Sequence, residues 1–239
     1  MSERFYAESV LPTSGEIIYL GIEESHHLVK VMRLSVGDEC EVFHGGVAAT
    51  AEILVASPKQ CALRLGSLVP CPEPVPRQLA FGLPWIRGGR TEDLVRKLTE
   101  AGVQRITVYR ADRETAHGDT EKLEKLRRVA IEACKQCERC DLPFIASVNS
   151  LREVIENSAG MSVQILYERG DCKTLSSSLT GVPSDVGVLV VSGPEGGFSE
   201  AEFASMSGAN LVTLGPRIMR AETAPIVAVG IALAWAGSA

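Results

Sequence analysis

The sequence predicts an α/β protein in which a small β-barrel precedes a larger domain with a largely parallel sheet. Short β-like runs fill the amino-terminal part of the chain, a proline-rich segment follows, and strand-like and helix-like runs alternate beyond it. The 239 residues are 45% hydrophobic and 23% charged, a composition typical of a globular protein with a hydrophobic core.

The predicted barrel, residues 1–72, consists mostly of strands. Its apolar runs are short and separated by glycine or proline turns, as GEIIYLG, DECEVFHG, VAATAEILVA and QCALRLGSL. One helix from about Glu23 to Met32 interrupts them, because Leu28, Val31 and Met32 lie at helical spacing. Small barrels serve many unrelated binding functions, so the shape alone predicts no ligand.

A proline-rich connector, LVPCPEPVPR, follows the predicted barrel. Its prolines occupy positions 70, 72, 74 and 76, an alternation that neither a helix nor a central strand tolerates. We therefore place a domain boundary between residues 72 and 73, which gives a second domain of residues 73–239.

The second domain alternates strands and helices. The runs QLAFGLPWI and RITVYRA predict strands, TEDLVRKLTEAG a helix capped by Thr91 and stopped by Gly102, and EKLEKLRRVAIEACKQCER a long helix. The alternation continues through LREVIENSAG, VQILYER, VGVLVVSG, SEAEFASMSG and LVTLG. The run VGVLVVSG is apolar without a period of two, as expected of a strand covered on both faces. Ligands of such parallel sheets bind at the carboxyl ends of the strands.

Two unusual loops leave strands at that edge, and the first is GPEGGF after Val191. It lacks both the Lys-Ser/Thr pair of a Walker loop and the G-x-G-x-x-G dinucleotide fingerprint. Its glycines allow close approach of a ligand, and Glu195 favours a ligand that is neutral or cationic. The alternative is a tight turn before a helix, because Ser199 and Glu202 form a capping box.

The second loop, LGPRIMRAETAP after Val212, places charged residues beside an apolar helix. Arg217, Arg220 and Glu222 fall in one short turn, and Pro225 lies near the start of the helix IVAVGIALAWA. That helix is apolar nearly all round, so we expect it to be buried. The charged groups either pair with one another or face a ligand between the two loops.

Charge and hydropathy limit the classes of function. The net charge of −6 argues against a general polyanion binder, but residues 77–139 hold 14 basic and 10 acidic residues. Nucleic acid contacts would concentrate in this segment, and a solvated helix face is the alternative. The amino terminus lacks the pattern of a signal peptide, and the longest apolar run is too short for a bilayer span. We therefore expect a cytoplasmic protein without membrane contact.

The seven cysteines are expected to be free thiols, since no export signal accompanies them. Cys134, Cys137 and Cys140 have the C-x2-C-x2-C spacing of some metal sites. On a helix, however, these positions spread over a wide arc, and no fourth ligand lies nearby in sequence. We therefore expect no metal.

The two loops closely resemble signature sequences of a known family. GPEGGFSEAE and LGPRIMRAETA are similar to those of the ribosomal RNA small subunit methyltransferase E family, the 16S rRNA (uracil-N3)-methyltransferases of the SPOUT class. The resemblance extends to KLTEAGV, ADRETA, EACKQCERCDLP and, near the start of a PUA-like RNA-binding barrel, HHLVKVMRLSVGDECEVFHG. The departures are mild, since Ala101, Met219 and Ala221 stand where the family more often has Leu, Leu and Thr.

The resemblance implies a C-terminal SPOUT α/β domain with a trefoil knot, an N-terminal PUA-like barrel, a homodimer and S-adenosylmethionine as cofactor. The sulfonium of that cofactor is cationic, which suits a loop with Glu195 and no lysine. The residues implied for cofactor binding are Tyr167, Glu168, Gly193, Pro194, Glu195, Gly196, Gly197, Leu214, Gly215, Ile218, Met219, Arg220, Ala221 and Thr223.

The resemblance further implies transfer of a methyl group to N3 of a uridine, which has to lose its proton. Arg220 is expected to stabilise the deprotonated base electrostatically, and Glu222 or Glu195 to accept the proton. Contacts with 16S rRNA, free or in the assembled small ribosomal subunit, are expected from Arg113, Arg127, Arg128, Gln136 and Arg139. Two alternatives are a SPOUT enzyme that methylates a ribose 2′-oxygen and a non-catalytic rRNA-binding assembly factor.

Overall fold

The computed structural model describes residues 3–114, 118–169 and 171–237. The chain divides into two compact units, the first made of Met1–Glu73 with Ile131–Leu142 and the second of Pro74–Ala130 with Pro143–Ala239. The boundary predicted between residues 72 and 73 stays a prediction. Thr115 and Ala116 of the ADRETA stretch lie outside the described residues.

The first unit contains a five-stranded sheet. Its strands are β1 (Arg4–Tyr6), β2 (Ile17–Tyr19), β3 (Glu39–His44), β4 (Val47–Val55) and β5 (Ala62–Val69), in the order β1-β3-β4-β5-β2. Only the β1–β3 pair is parallel among these neighbours. The predicted helix is present as α1 (Ile22–His26), which continues as a π-helical turn, His27–Val31. Strand β1 was not predicted, because three residues are too few to show a period.

The second unit is an α/β layer structure around a seven-stranded sheet. Its strands are β6 (Leu79–Pro84), β7 (Arg105–Tyr109), β8 (Phe144–Val148), β9 (Ser162–Leu166), β10 (Lys173–Thr174), β11 (Val188–Val191) and β12 (Asn210–Thr213). Its helices are α2 (Arg90–Glu100), α3 (Thr120–Gln136), α4 (Leu151–Glu156), α5 (Leu175–Leu179), α6 (Glu200–Ser205) and α7 (Ala224–Ala236). The break between the two units at residues 130 and 131 falls inside α3.

The seven-stranded sheet is parallel throughout, in the order β10-β12-β9-β11-β6-β7-β8, which confirms the predicted parallel sheet. All four residues of β11 are buried, as its unbroken apolar run predicted. Strands β8 and β10 and helix α5 were not predicted, since their sequences are short or carry exposed polar residues.

The start of α2 differs from the prediction. The helix begins at Arg90, after Gly89 with a φ of 77°, so Thr91 is not its N-cap. The Thr91 hydroxyl instead accepts a 2.9 Å hydrogen bond from the Ile86 amide and lies 3.2 Å from the Ile86 carbonyl. The prediction was wrong because left-handed glycines turn the chain before the helix starts. Gly102 follows the helix with a φ of 84°, as predicted.

Helix α7 is buried on one face only, which corrects the expectation of burial all round. The buried residues recur at helical spacing, and they are Pro225, Ala228, Val229, Ala232 and Ala236. The helix packs against α2 and α5, whereas its residue Ile226 is 38% exposed. Because the helix is apolar on all sides, its composition does not show which face packs against the rest of the chain and which face is exposed. None of the described helices is long and apolar enough to cross a bilayer.

Two cysteines form a disulfide, which corrects the expectation of seven free thiols. Cys71, in the connector, is bonded to Cys140, in the loop after α3, and both belong to the first unit. The two are 69 residues apart, so sequence spacing did not reveal the pair. An Arg4 guanidinium nitrogen lies 3.3 Å from the Cys140 sulfur. The free cysteines are Cys40, Cys61, Cys134, Cys137 and Cys172.

Candidate functional site

A cavity of about 630 Å³ lies at the carboxyl ends of the parallel strands of the second unit. Loops that follow β6, β7, β9, β11 and β12 line it. Strand β9 separates β11 from β12 in the sheet, yet the two signature loops that leave β11 and β12 face the same space. The volume of the cavity is within the range of small-molecule sites, roughly 300–1,000 Å³.

Most residues predicted for cofactor binding line this cavity. Those that do are Tyr167, Glu168, Gly193, Pro194, Glu195, Gly196, Gly197, Leu214, Ile218, Met219, Arg220 and Ala221. Gly215 and Thr223 belong to the second loop and its continuation but are not among the lining residues. Three further lining residues, which were not predicted, are apolar: Leu166, Phe198 and Phe203.

The first signature loop folds back on itself. The Gly197 amide donates a 3.0 Å hydrogen bond to the Pro194 carbonyl, and Gly197 has a φ of 69°. The Phe198 ring packs so closely that a Cβ on Gly193 would lie 2.8 Å from it. Glycine at 193 is therefore required by packing inside the loop, as well as by any close approach of a ligand.

Asp112 and Arg113, which follow β7, form hydrogen bonds with the first signature loop and with the start of α6. The Ser199 hydroxyl donates a 2.5 Å hydrogen bond to Asp112, and the Asp112 amide donates a 3.2 Å bond to Glu202. Ser199 and Glu202 also form the predicted capping box of α6. Arg113 donates a 3.2 Å bond to the Gly196 carbonyl, so this predicted RNA contact is part of the cavity wall.

The two predicted catalytic acids lie at ion-pair distance from Arg90, which was not predicted, and the third predicted residue, Arg220, lies beside Glu222. Arg90 Nη1 forms an ion pair with Glu195 Oε1 and lies 3.9 Å from Glu222 Oε2. Arg220 Nη1 lies 3.9 Å from Glu222 Oε1. Glu222 Oε2 is buried and has no hydrogen-bond partner among the described residues. No signal in the sequence marked Arg90, because it precedes Thr91, the predicted start of the helix, and only the structure places it at the first position of α2.

The lining of the cavity carries a basic excess. Its charged residues are Arg90, Arg113, Arg169, Arg217, Arg220, Glu168 and Glu195, five cations against two anions. From the sequence we expected a ligand that is neutral or cationic near Glu195, and this stays a prediction. In the structure, Arg90 compensates the charge of Glu195 within the protein.

The remaining predicted RNA contacts differ in exposure. Arg127, Arg128 and Gln136 are exposed on α3. Arg139 is 7% exposed and donates hydrogen bonds of 3.0 and 2.7 Å to the two carboxylate oxygens of Asp141. This bidentate ion pair fixes the Arg139 guanidinium locally, with the Asp141 side chain 40% exposed, and the RNA contact expected of Arg139 stays a prediction.

One cluster of potential metal ligands, Glu24, His27 and Glu132, lies in the first unit. Lys135 Nζ is 2.7 Å from Glu24 Oε1, 2.8 Å from Glu132 Oε1 and 3.1 Å from His27 Nδ1. The ammonium group therefore fills the position that a cation would take, and the cluster is an ion-pair network.

The fold and the cavity agree with comparisons to known families. Residues 72–233 match the family model of the RNA methyltransferase domain, and residues 20–66 match that of the RNA methyltransferase PUA domain. The chain is thus a member of a class of RNA methyltransferases that carry a PUA domain.

Within that class, similar proteins that share one name identify the family. The chain is 31% identical over 223 residues to the ribosomal RNA small subunit methyltransferase E of Bacillus subtilis, covering 87% of this chain and 86% of the relative. A relative of the same name from Mycobacterium bovis is 29% identical over 95% of this chain and 89% of the relative. The chain belongs to the ribosomal RNA small subunit methyltransferase E family.

Solved structures extend the comparison to the fold. A methyltransferase of Legionella pneumophila in complex with S-adenosylmethionine is similar over 98% of both chains, with a TM-score of 0.86 and 28% identity. The ribosomal RNA small subunit methyltransferase E of Neisseria gonorrhoeae, also bound to S-adenosylmethionine, has a TM-score of 0.81 and 25% identity over 96% of both chains. The predicted fold class, a SPOUT-type domain with a PUA-like domain, is confirmed, and the trefoil knot stays a prediction.

Proposed function

We propose that this protein uses S-adenosylmethionine to methylate N3 of a specific uridine in 16S rRNA. The observation that carries the proposal is one cavity formed jointly by residues 192–198, 212–214 and 217–221 at the carboxyl edge of the parallel sheet. Family membership and the S-adenosylmethionine bound to two similar structures support it.

The residues present fit this cofactor. Leu166, Phe198, Phe203 and Met219 provide apolar wall for a flat aromatic base, and the loop at Gly193–Gly197 brings main-chain polar groups to the same cavity. We propose that the lining residues predicted from the sequence hold the cofactor, which when bound supplies a methyl group on a cationic sulfur. The protein has to align that group with the acceptor, which is worth roughly 7–11 kcal/mol of barrier in well-oriented reactions.

We assign Arg220 to charge stabilisation. Its side chain is 79% exposed at the mouth of the cavity, 3.9 Å from Glu222. A guanidinium remains protonated, so it favours the negative charge that develops on the uracil carbonyl oxygens when N3 loses its proton. Arg220 thereby acts on the reacting base without exchanging a proton with it.

We assign proton acceptance to Glu222. Of the two candidate acids, Glu195 forms the closer ion pair with Arg90. Glu222 lies 3.9 Å from both Arg90 and Arg220, and its Oε2 has no hydrogen-bond partner among the described residues. Glu222 directly follows the lining residue Ala221, and its side chain is 27% exposed although Oε2 is buried. An acceptor with an unmade hydrogen bond is the better candidate for the N3 proton.

RNA placement is assigned to three parts of the chain. The basic cavity rim and the exposed α3 residues Arg127, Arg128 and Gln136 suit phosphate contacts, and the predicted PUA-like domain, residues 1–72, suits recognition of folded rRNA. We further propose a cytoplasmic homodimer with a trefoil knot, in which the open face of α7 meets a second copy of the chain.

The test offers methyl-labelled S-adenosylmethionine to assembled small subunits and to naked 16S rRNA, and maps the modified nucleotide and atom. Label on N3 of one uridine is the expected result. Label on a ribose 2′-oxygen would reject the uracil chemistry, and calorimetry that detects no cofactor binding would point to an assembly factor.

A further inference from the structure

Arg90 occupies an unfavourable place for a cation. It is the first residue of α2, where unpaired helix amides and the helix dipole present partial positive charge. Gly88 and Gly89, with φ values of 74° and 77°, precede it, and a Cβ on either would meet no atom within 4 Å. These glycines are therefore required by backbone conformation, and they direct the chain into the helix at Arg90.

Acidic residues of both signature loops compensate the positive charge of Arg90. Arg90 Nη1 pairs with Glu195 of the first loop and lies 3.9 Å from Glu222 of the second. The two acids are separated by 27 residues in sequence, and their loops leave strands that are not neighbours in the sheet. Arg90 thus lies at ion-pair distance from one carboxylate of each signature loop.

We propose that Arg90 is a positioning residue that fixes the first loop through Glu195 and leaves Glu222 as the acid available to the substrate. The inference rests on the proposed function, since it assigns different tasks to two acids of that site. Glu195 then serves loop geometry and cofactor affinity, and Glu222 serves the transfer step.

The first experiment needs no ligand. Hydrogen–deuterium exchange of residues 193–198 is compared among the wild type, Arg90→Met, Arg90→Lys and the control Arg96→Gln, whose exposed guanidinium on the same helix pairs with Asp93. Arg90→Met should speed exchange in this loop, Arg90→Lys should restore most of the protection, and Arg96→Gln should leave it unchanged. Equal protection in Arg90→Met and the wild type would overturn the proposal.

The second experiment is a double-mutant cycle on cofactor affinity, measured by calorimetry with S-adenosylmethionine. Arg90→Met and Glu195→Gln should each raise Kd about tenfold, and the double variant should also show about tenfold, because partners in one network are not additive. A combined effect near a hundredfold would show that the two residues act independently and would overturn the inference.

The third measurement separates the two acids by single-turnover methyl transfer at saturating cofactor. Glu222→Gln should lower the rate constant about a hundredfold with little change in Kd, whereas Glu195→Gln should change mainly Kd. The reverse pattern would refute the assignment. If the wild type fails to bind S-adenosylmethionine, the proposed function fails, and the exchange data still decide whether Arg90 holds the loop.

Discussion

The Tyr109 hydroxyl donates a 2.8 Å hydrogen bond to the backbone carbonyl of Ser192, which joins the end of β7 to the first residue after β11. Tyr109 is fully buried, and burial, followed by the charge of Glu202, raises its pKa well above the ordinary value. The phenol therefore stays a neutral donor at physiological pH. The start of the first signature loop is held by a contact that water does not reach.

Tyr109→Phe should lower the free energy of unfolding by about 1–3 kcal/mol, because the buried Ser192 carbonyl loses its donor. Urea unfolding measures the change. Tyr19→Phe is the matched control, since Tyr19 is 61% exposed and its change should stay within about 0.5 kcal/mol. Equal stability of Tyr109→Phe and the wild type would contradict the importance of this bond.

Arg220→Ala should slow methyl transfer more than it weakens cofactor binding. Removal of one electrostatic donor to a developing anion typically costs about 10²–10³ in kcat. Single-turnover kinetics and calorimetry on the same preparation separate the two effects. Equal losses in rate and in affinity would reject a role confined to the transition state.

Reduction of the Cys71–Cys140 disulfide should destabilise the first unit. The bond closes a loop of 69 residues, and disulfides typically contribute about 2–4 kcal/mol by restricting the unfolded chain. Urea unfolding with and without dithiothreitol measures this, while alkylation and mass spectrometry count the thiols. Cys140→Ser should remove the sensitivity to reductant, and Cys172→Ser should retain it. A full set of seven alkylated cysteines before reduction would show that the bond does not form.

Alkaline pH should lower stability through two buried thiols. Burial raises the pKa of Cys40 and Cys134 from 9.0 to about 12, so the folded state keeps protons that the unfolded chain releases. Their contribution is complete below pH 9 and declines as the pH rises towards 12. Unfolding free energies at pH 8 and 10.5 should differ less in a Cys40→Ala, Cys134→Ala variant than in the wild type. An identical pH dependence would contradict this origin.

The sequence predicted the sheet and the two loops because local patterns carry that information. The unbroken apolar run of β11, the alternation of elements and the capping box at Ser199 all act within a few residues of chain. The proposed cofactor site followed from the same stretches, since both loops leave strands at one edge of the sheet.

Most of the contacts that were missed join distant parts of the chain. Arg90 and Glu195 are 105 residues apart, and no periodicity connects them. One missed contact is local, since Arg139 and Asp141 are two residues apart, and the basic composition around Arg139 did not reveal this bidentate ion pair. Helix α7 is buried on one face because that face packs against α2 and α5. Its composition predicts only that the helix is apolar.

The order in which the cavity acquires its walls has a consequence for synthesis. Arg90 is translated early, but the opposite wall, from Val212 to Ala224, emerges from the ribosome more than a hundred residues later. A nascent chain that has already paired β6 with β7 still lacks the lining residues that come from the second signature loop. The complete lining therefore exists only in a polypeptide that extends to Ala224.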